Sequence, residues 1–222
     1  MRIDVWSDVV CPWCHVGLAN LDLALEGFEP AGKVEVVLRS FQLDPTAENE
    51  PAGSHTRLLA EKYGTSESEM RARQARIVSL GAERGLDFRF DRVRRGNTFD
   101  AHRLLHLARE HGLQRQLKDR LGRAYFTEGE PIGEADTLRK AAADIGLDPL
   151  EVEAVLAGDA YADDVRTDIE TAQRLGITGV PFFVADGHLA ASGAQPPEVL
   201  GQLLRRAWDD AHPPSTERPP DL

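Results

Sequence analysis

The sequence predicts an α/β fold in which two strand-bearing segments are separated by a large all-helical insertion. Three observations carry this reading. A β-α-β pattern runs from Met1 to about Glu50, a train of amphipathic helical patterns continues to about Gly158, and an α-β-β-α pattern closes the chain before Ala211. With 222 residues, 41% of them hydrophobic and 28% charged, the composition is that of a folded globular protein long enough to bury a substantial core.

The elements follow in order. Ile3 and Val5 alternate with Asp4 and Trp6, the period of two expected of a strand with one buried face. From Cys11 the period lengthens: Val16, Leu18, Leu21, Leu23 and Leu25 mark a helix that Gly27 and Pro30 end. Val34 to Leu43, rich in Val, Leu and Phe and bounded by Gly32 and Pro45, reads as a second strand. The insertion is predicted to hold helices over Ser54–Tyr63, Ser66–Arg84, Asn97–Glu110, Leu113–Thr127, Thr137–Ile145 and Pro149–Ala157, with Gly64, Gly85, Gly112, Gly129, Pro131 and Gly146 in the turns. Leu86–Phe90 is a candidate short extended piece. A helix over Tyr161–Leu175 ends at Gly176, and strands over Pro181–Ala185 and His188–Ser192 flank an Asp186-Gly187 turn. The last helix runs from Pro197, a proline suited to a first turn, to Ala211. The tail from His212 is rich in proline and charge and is expected to be disordered. The expected organisation is a discontinuous domain of residues 1–50 and 159–211, a helical insertion domain of residues 51–158, and a tail of residues 212–222.

A net charge of −11 argues against a nucleic-acid partner, because phosphate binding needs a basic surface. The local cluster Arg92, Arg94 and Arg95 reads as a solvated loop rather than an anion site. No apolar run reaches the ~18 residues of a membrane span, and no basic stretch with an apolar follow-on opens the chain. Neither a membrane nor a secretory route is expected, and a cytoplasmic setting is. In that setting two cysteines do not form a structural scaffold, since thiols are kept reduced.

Both cysteines lie in Cys11-Pro12-Trp13-Cys14, at the first strand-to-helix turn. The thiolate is the species that attacks a disulfide, so a reactive cysteine needs its pKa lowered from about 8.5. The unsatisfied N–H groups and dipole of a helix N-terminus do this for Cys11. Pro12 fits there because it has no N–H to leave unpaired, and Trp13 offers apolar surface beside the sulfur. Cys14, one turn on, is placed to resolve a mixed disulfide and is expected to be the less exposed and less acidic thiol. His15 is expected either to tune the thiolate or to be an ordinary exposed helix residue. A zinc site would need further ligands; beyond His102 and His106 on one helical face, no partner pair with suitable spacing is present, so no metal is expected.

The thiol motif, together with the element order, points to a thioredoxin fold. Val180-Pro181, between Gly176-Ile177-Thr178-Gly179 and Phe182-Phe183-Val184, has a proline that cannot donate to a strand ladder, as in a turn with a cis bond or in an edge strand. In thioredoxin-like proteins such a loop faces the two cysteines, so Val180 and Pro181 are expected to line the substrate groove. Asp8 is read as a hydrogen-bond acceptor or proton relay at this turn, or as a turn cap. Asn97 with Asp100 reads as a helix-capping pair. Phe41 and Gln195 are secondary candidates near the cleft, and Tyr125 and Phe126 are expected to pack the insertion onto the sheet domain.

Asp8-x-x-Cys11-Pro12-Trp13-Cys14, Phe41-Gln42-Leu43-x-Pro45, Asn97-Thr98-x-x-Ala101-His102-Arg103-Leu104, Ala124-Tyr125-Phe126, Gly179-Val180-Pro181-Phe182-Phe183 and Ser192-Gly193-Ala194-Gln195 resemble the DsbA-family oxidoreductases of the FrnE type. The resemblance spans Arg2 to about Trp208. It implies dithiol-disulfide oxidoreductase or isomerase activity on protein or small-molecule disulfides, through a redox-active Cys11–Cys14 disulfide. The implied substrate-binding residues are Pro12, Trp13, Val180, Pro181, Asn97 and Phe41. No bound cofactor is expected, though glutathione or another low-molecular-weight thiol is a candidate co-substrate. The same superfamily includes 2-hydroxychromene-2-carboxylate isomerases and kappa-class glutathione transferases, which typically carry serine at the first cysteine. A glutathione-dependent isomerase or transferase is therefore the alternative, and retention of both cysteines favours redox chemistry.

Overall fold

A computed structural model describes residues 1–48 and 55–213. The expected start of a helix at Ser54 and nearly all of the expected disordered tail lie outside the described residues. Strands β1 (Arg2–Ser7), β2 (Glu35–Ser40), β3 (Phe182–Ala185) and β4 (Leu189–Ser192) form one sheet in the order β2-β1-β3-β4. β1 pairs parallel with β2 and antiparallel with β3, and β3 pairs antiparallel with β4. This is the thioredoxin-like arrangement that the element order and the thiol motif predict. β2 is shorter than the apolar run from Val34 to Leu43 suggests. Its ladder ends at the Ser7–Ser40 pair, because β1 stops there and offers no further backbone to bond.

The period of two in β1 divides the sheet into two faces. Ile3 and Val5 join Phe183 and Ala185 against helix α1 (Pro12–Glu26) and helix α9 (Pro197–Ala211), burying Leu18, Leu21, Leu200 and Leu204. Trp6 and Val184 face the other way, against Ala172 of helix α8 (Ala162–Arg174), and the Trp6 indole donates to the Asp168 carbonyl at 3.0 Å. β2 is an edge strand. Its outer rim is covered by Gln114, whose side chain both accepts from the Leu38 N–H at 2.9 Å and donates to the Leu38 carbonyl at 3.0 Å.

Between β2 and α8 lie helices α2 (His55–Lys62), α3 (Glu67–Ala82), α4 (Phe99–Glu110), α5 (Gln114–Arg123), α6 (Ala135–Asp144) and α7 (Pro149–Ala157). α5 runs on into a single π turn, Ala124–Glu128, which buries Tyr125 and Phe126. The candidate extended piece Leu86–Phe90 forms no strand. Arg89 N–H bonds the Phe126 carbonyl at 2.9 Å, Phe88 and Phe90 turn into the helical core, and among the described residues no strand pairs with them.

The core of the helical block contains Leu104, Leu117, Leu121, Phe126 and Leu138, and it also takes in Val9 and Val16 from the strand-to-helix turn. α1 therefore has apolar neighbours on two sides, which explains why its pattern is apolar nearly all round. His15 is corrected by this packing. It is buried rather than exposed, its Nε2 donates to the Val9 carbonyl at 2.9 Å, and its ring meets Phe126 edge-on at 5.6 Å. Burial pushes its pKa down to about 3, so it stays uncharged and cannot tune a thiolate as a cation. Gly122 lets α5 come this close: a Cβ there would stand 2.2 Å from the imidazole Cε1.

Candidate active site

β1 delivers the chain into the turn Asp8-Val9-Val10, and α1 begins on Pro12 with Cys11 as its N-cap residue. The Cys11 carbonyl takes the first helical bonds, from Cys14 N–H at 3.1 Å and His15 N–H at 3.4 Å. No side chain caps this end, so the positive end of the helix dipole is left to the sulfur. Both thiols are free. Cys11 is 4% exposed, Cys14 is fully buried, and Trp13 stands 37% exposed beside them.

The two thiols are pushed apart in acidity. Cys11 lies below the ordinary thiol value, first because the Cys14 thiol donates a hydrogen bond to it, then through the Cys14 backbone N–H and the Lys118 charge, which together outweigh burial. Cys14 is raised well above it, mainly by burial and then by its bond to Cys11. To the helix-end N–H of Cys14 the fold adds two contributions that spacing did not announce, the neighbouring thiol and a buried lysine.

Lys118 escaped sequence reasoning altogether. It lies on α5, is fully buried, and its Nζ donates to the Asp8 carbonyl at 2.5 Å, beneath the thiol turn. Burial lowers its own pKa, opposed by attraction to Cys14, Asp8 and Cys11. The only signal was its position: Gln114, Lys118, Leu121 and Tyr125 share one face of a helical repeat, a place where an apolar residue is usual. The Asp8 side chain accepts hydrogen bonds, but from the chain after β2 and from α4 rather than from the thiol turn. Its carboxylate accepts from Leu43 N–H at 2.8 Å and from His102 Nε2 at 3.3 Å. Burial alone would raise it, but the His102 and Leu43 bonds and the Lys118 charge hold it below the usual carboxylate range.

The second half of the chain reaches the thiols through the loop before β3. The Val180–Pro181 peptide is cis, and Cys11 Sγ lies 3.6 Å from the Val180 carbonyl oxygen. The Pro181 ring lies against α1 at Gly17, where an added Cβ would be 2.9 Å from Pro181 Cγ. Cys11, Pro12, Trp13 and Val180 line one cleft of about 780 Å³, whose far wall is built by α2 and α3.

Asn97, Phe41 and Pro181 do not line this cleft, and of the cis-proline pair only Val180 does. The Asn97 amide is occupied within the protein, accepting from Phe99 N–H and Gln42 Nε2 and donating to the Pro45 carbonyl, which ties the chain after β2 to the start of α4. Phe41 packs beside Val180 and Phe182 in the Trp6 cluster. Gln195 bonds the Ser192 carbonyl and supports the start of α9. Arg95 departs from the solvated-loop reading: it pairs with Asp44 at 2.6 Å and lines the cleft. His102 and His106 bond Asp8 and Asp168 respectively. Among the described residues no group of three or more His, Cys, Asp or Glu side chains is placed to hold a metal ion. Nor is any described helix long and apolar enough to cross a membrane.

A thiol pair at the first turn of α1, under a cis-proline loop and beside a helical insertion, defines a thioredoxin-fold protein of the DsbA class. The chain belongs to the family of the DSBA-like thioredoxin domain, whose model matches residues 2–205, and with that family it is a disulfide oxidoreductase. It is similar over 100% of its length, and 93% of the other chain, to SCO1869 of Streptomyces coelicolor, described as a probable DsbA oxidoreductase, with 42% identity and a TM-score of 0.88. It is 29% identical to the uncharacterized protein YwbO of Bacillus subtilis (strain 168), over 92% of this chain and 96% of that one. The cytosolic disulfide reductase DsbM of Pseudomonas aeruginosa, solved with GSH, shares the fold at 20% identity and a TM-score of 0.67, covering 94% of this chain and 99% of DsbM.

Proposed function

We propose that this protein is a dithiol-disulfide oxidoreductase of the FrnE type in which Cys11 is the attacking thiol and Cys14 the resolving one. The observation that carries the reading is the divergence of the two thiols in a single turn: Cys11 lowered and at the cleft, Cys14 raised and buried behind it. The Cys11 thiolate attacks one sulfur of a disulfide, the substrate S–S bond breaks, and the other sulfur leaves with the electron pair and takes up a proton. Cys14 then loses its proton and attacks Cys11 sulfur. The mixed disulfide breaks, the second substrate thiol departs, and a Cys11–Cys14 disulfide remains, so one disulfide is reduced for each dithiol oxidised.

Trp13 and Pro12 supply the near wall, and Val180 presents backbone to the substrate, held in place by Pro181, whose own carbonyl is taken by Gly193 N–H at 2.8 Å. Asn97 and Phe41 support the loop and sheet behind this cleft. Retention of both cysteines supports exchange over the glutathione-dependent isomerase reading. A cytoplasmic setting and a low-molecular-weight thiol such as glutathione as co-substrate are proposed with it, in line with the shared fold of DsbM. Replacing Cys11 by serine is expected to abolish reduction of insulin disulfides. Unchanged turnover in that variant would sink the assignment.

A further inference from the structure

The cleft beside Cys11 has a wall that the exchange mechanism does not use. His55 opens α2 and Gln74 lies mid-way along α3; they are 7% and 6% exposed, and both line the cleft. Among the described residues, His55 Nδ1 and Gln74 Nε2 are buried with no hydrogen-bond partner, although Gln74 Oε1 accepts from the Thr56 hydroxyl at 3.0 Å. A buried polar group left unpaired costs about 1–3 kcal/mol, so the Gln74 amide donor and the His55 ring nitrogen in one cleft wall mark a place where a polar ligand fits. The His55 ring stacks on Phe90, and burial lowers its pKa to about 4, which keeps it a neutral hydrogen-bonding group at neutral pH.

The charge on this wall has one sign. Among the described residues Lys62, Arg73, Arg76 and Arg95 line the cleft against one carboxylate, Asp44, in a chain whose net charge is −11. Asp44 is taken by Arg95 at 2.6 Å and lies 4.0 Å from Lys62. Arg73 and Arg76 have no ion pair or hydrogen bond among the described residues; Glu69, one turn before Arg73, is turned back into the capping box at Ser66. Two free guanidinium groups beside an unpaired amide donor suit a carboxylate, which accepts from both kinds of N–H. The volume, about 780 Å³, is that of a small-molecule site rather than a groove for a folded partner.

Resting on the reading that Cys11 attacks the disulfide, we propose that Arg73, Arg76, Gln74 and His55 form a specificity subsite that seats the carboxylate-bearing half of a small disulfide next to Cys11. A cysteine-derived thiol, which carries carboxylate and amide groups together, has the required chemistry.

The test is a single-turnover reaction of the pre-reduced full chain with two probes, dithiobis(nitrobenzoate), which carries two carboxylates, and dithiodipyridine, which carries none. Replacing both Arg73 and Arg76 by serine is expected to slow the carboxylated probe about tenfold and to remove its loss of rate with added salt, while the neutral probe stays within about twofold. Gln74→Glu, which turns the amide donor into a carboxylate, is expected to slow only the carboxylated probe. Equal effects on both probes, or none on either, would overturn the subsite. Cys11→Ser separates this from the underlying reading: if that variant still reacts with both probes at the wild-type rate, the thiol assignment itself has failed.

Discussion

Burying the Lys118 ammonium beneath two thiols costs stability unless its charge and its N–H groups are used. Here one N–H holds the Asp8 carbonyl, and the charge favours the Cys11 thiolate over the thiol. The reactive form is the thiolate, and its fraction rises with pH through the pKa. Since the Cys11 value is depressed, alkylation by iodoacetamide is expected to persist at pH values where an ordinary cysteine, with a pKa of about 8.5, has stopped reacting. Lys118→Met should move that inflection to higher pH. It should also cost about 1–3 kcal/mol in urea unfolding by removing the charged hydrogen bond to the Asp8 carbonyl, which keeps only the longer bond from Cys11 N–H at 3.3 Å. An unmoved inflection with lowered stability would make Lys118 a packing residue only. Cys11, Cys14 and Val180 were legible in the sequence because spacing and a proline announce them. Lys118, His55 and Gln74 were not, because nothing local tells a buried polar residue from a solvated one until α5 and α3 are placed.

At the scale of elements, α1 is the piece on which the site depends, since it holds both thiols and is clamped between the sheet and the helical block. The clamp is tight on the α5 side. Gly122 lies under the His15 imidazole, and a methyl group there would force the ring or the helix to move. Gly122→Ala is therefore expected to destabilise the protein by about 1–3 kcal/mol, as overpacked cores are, despite the better helix propensity of alanine. A variant as stable as the parent in thermal unfolding would show that α1 and α5 separate without cost. The helices themselves were readable from period and glycine punctuation, and α7 and α9 begin and end where the pattern places them. β2 and Leu86–Phe90 were over-read. An apolar run becomes a strand only where another strand lies alongside, and β1 ends too early for one while the helical block supplies none for the other.

The whole molecule brings together groups that are far apart in the chain. Val180, 169 residues from Cys11, reaches its sulfur; Lys118 and His102, 110 and 94 residues from Asp8, close around the turn beneath it. The sheet segments supply the thiols and the cis-proline loop, while the intervening helices supply the buried lysine and the cationic wall of the cleft. The order of segments was legible, and with it the meeting of the thiol turn and the Val180 loop. The contribution of the helices to the chemistry was not, because it depends on how they dock. The central claim is that one thiol attacks and the other resolves. Intact-mass measurement after exposure of the Cys14→Ser variant to a disulfide tests it most directly. The account predicts a single stable mixed disulfide, mapped to Cys11, and none in Cys11→Ser, where the remaining Cys14 is buried and raised in pKa. A stable adduct on Cys14 in the Cys11→Ser variant, with none on Cys11 in the other, would contradict it.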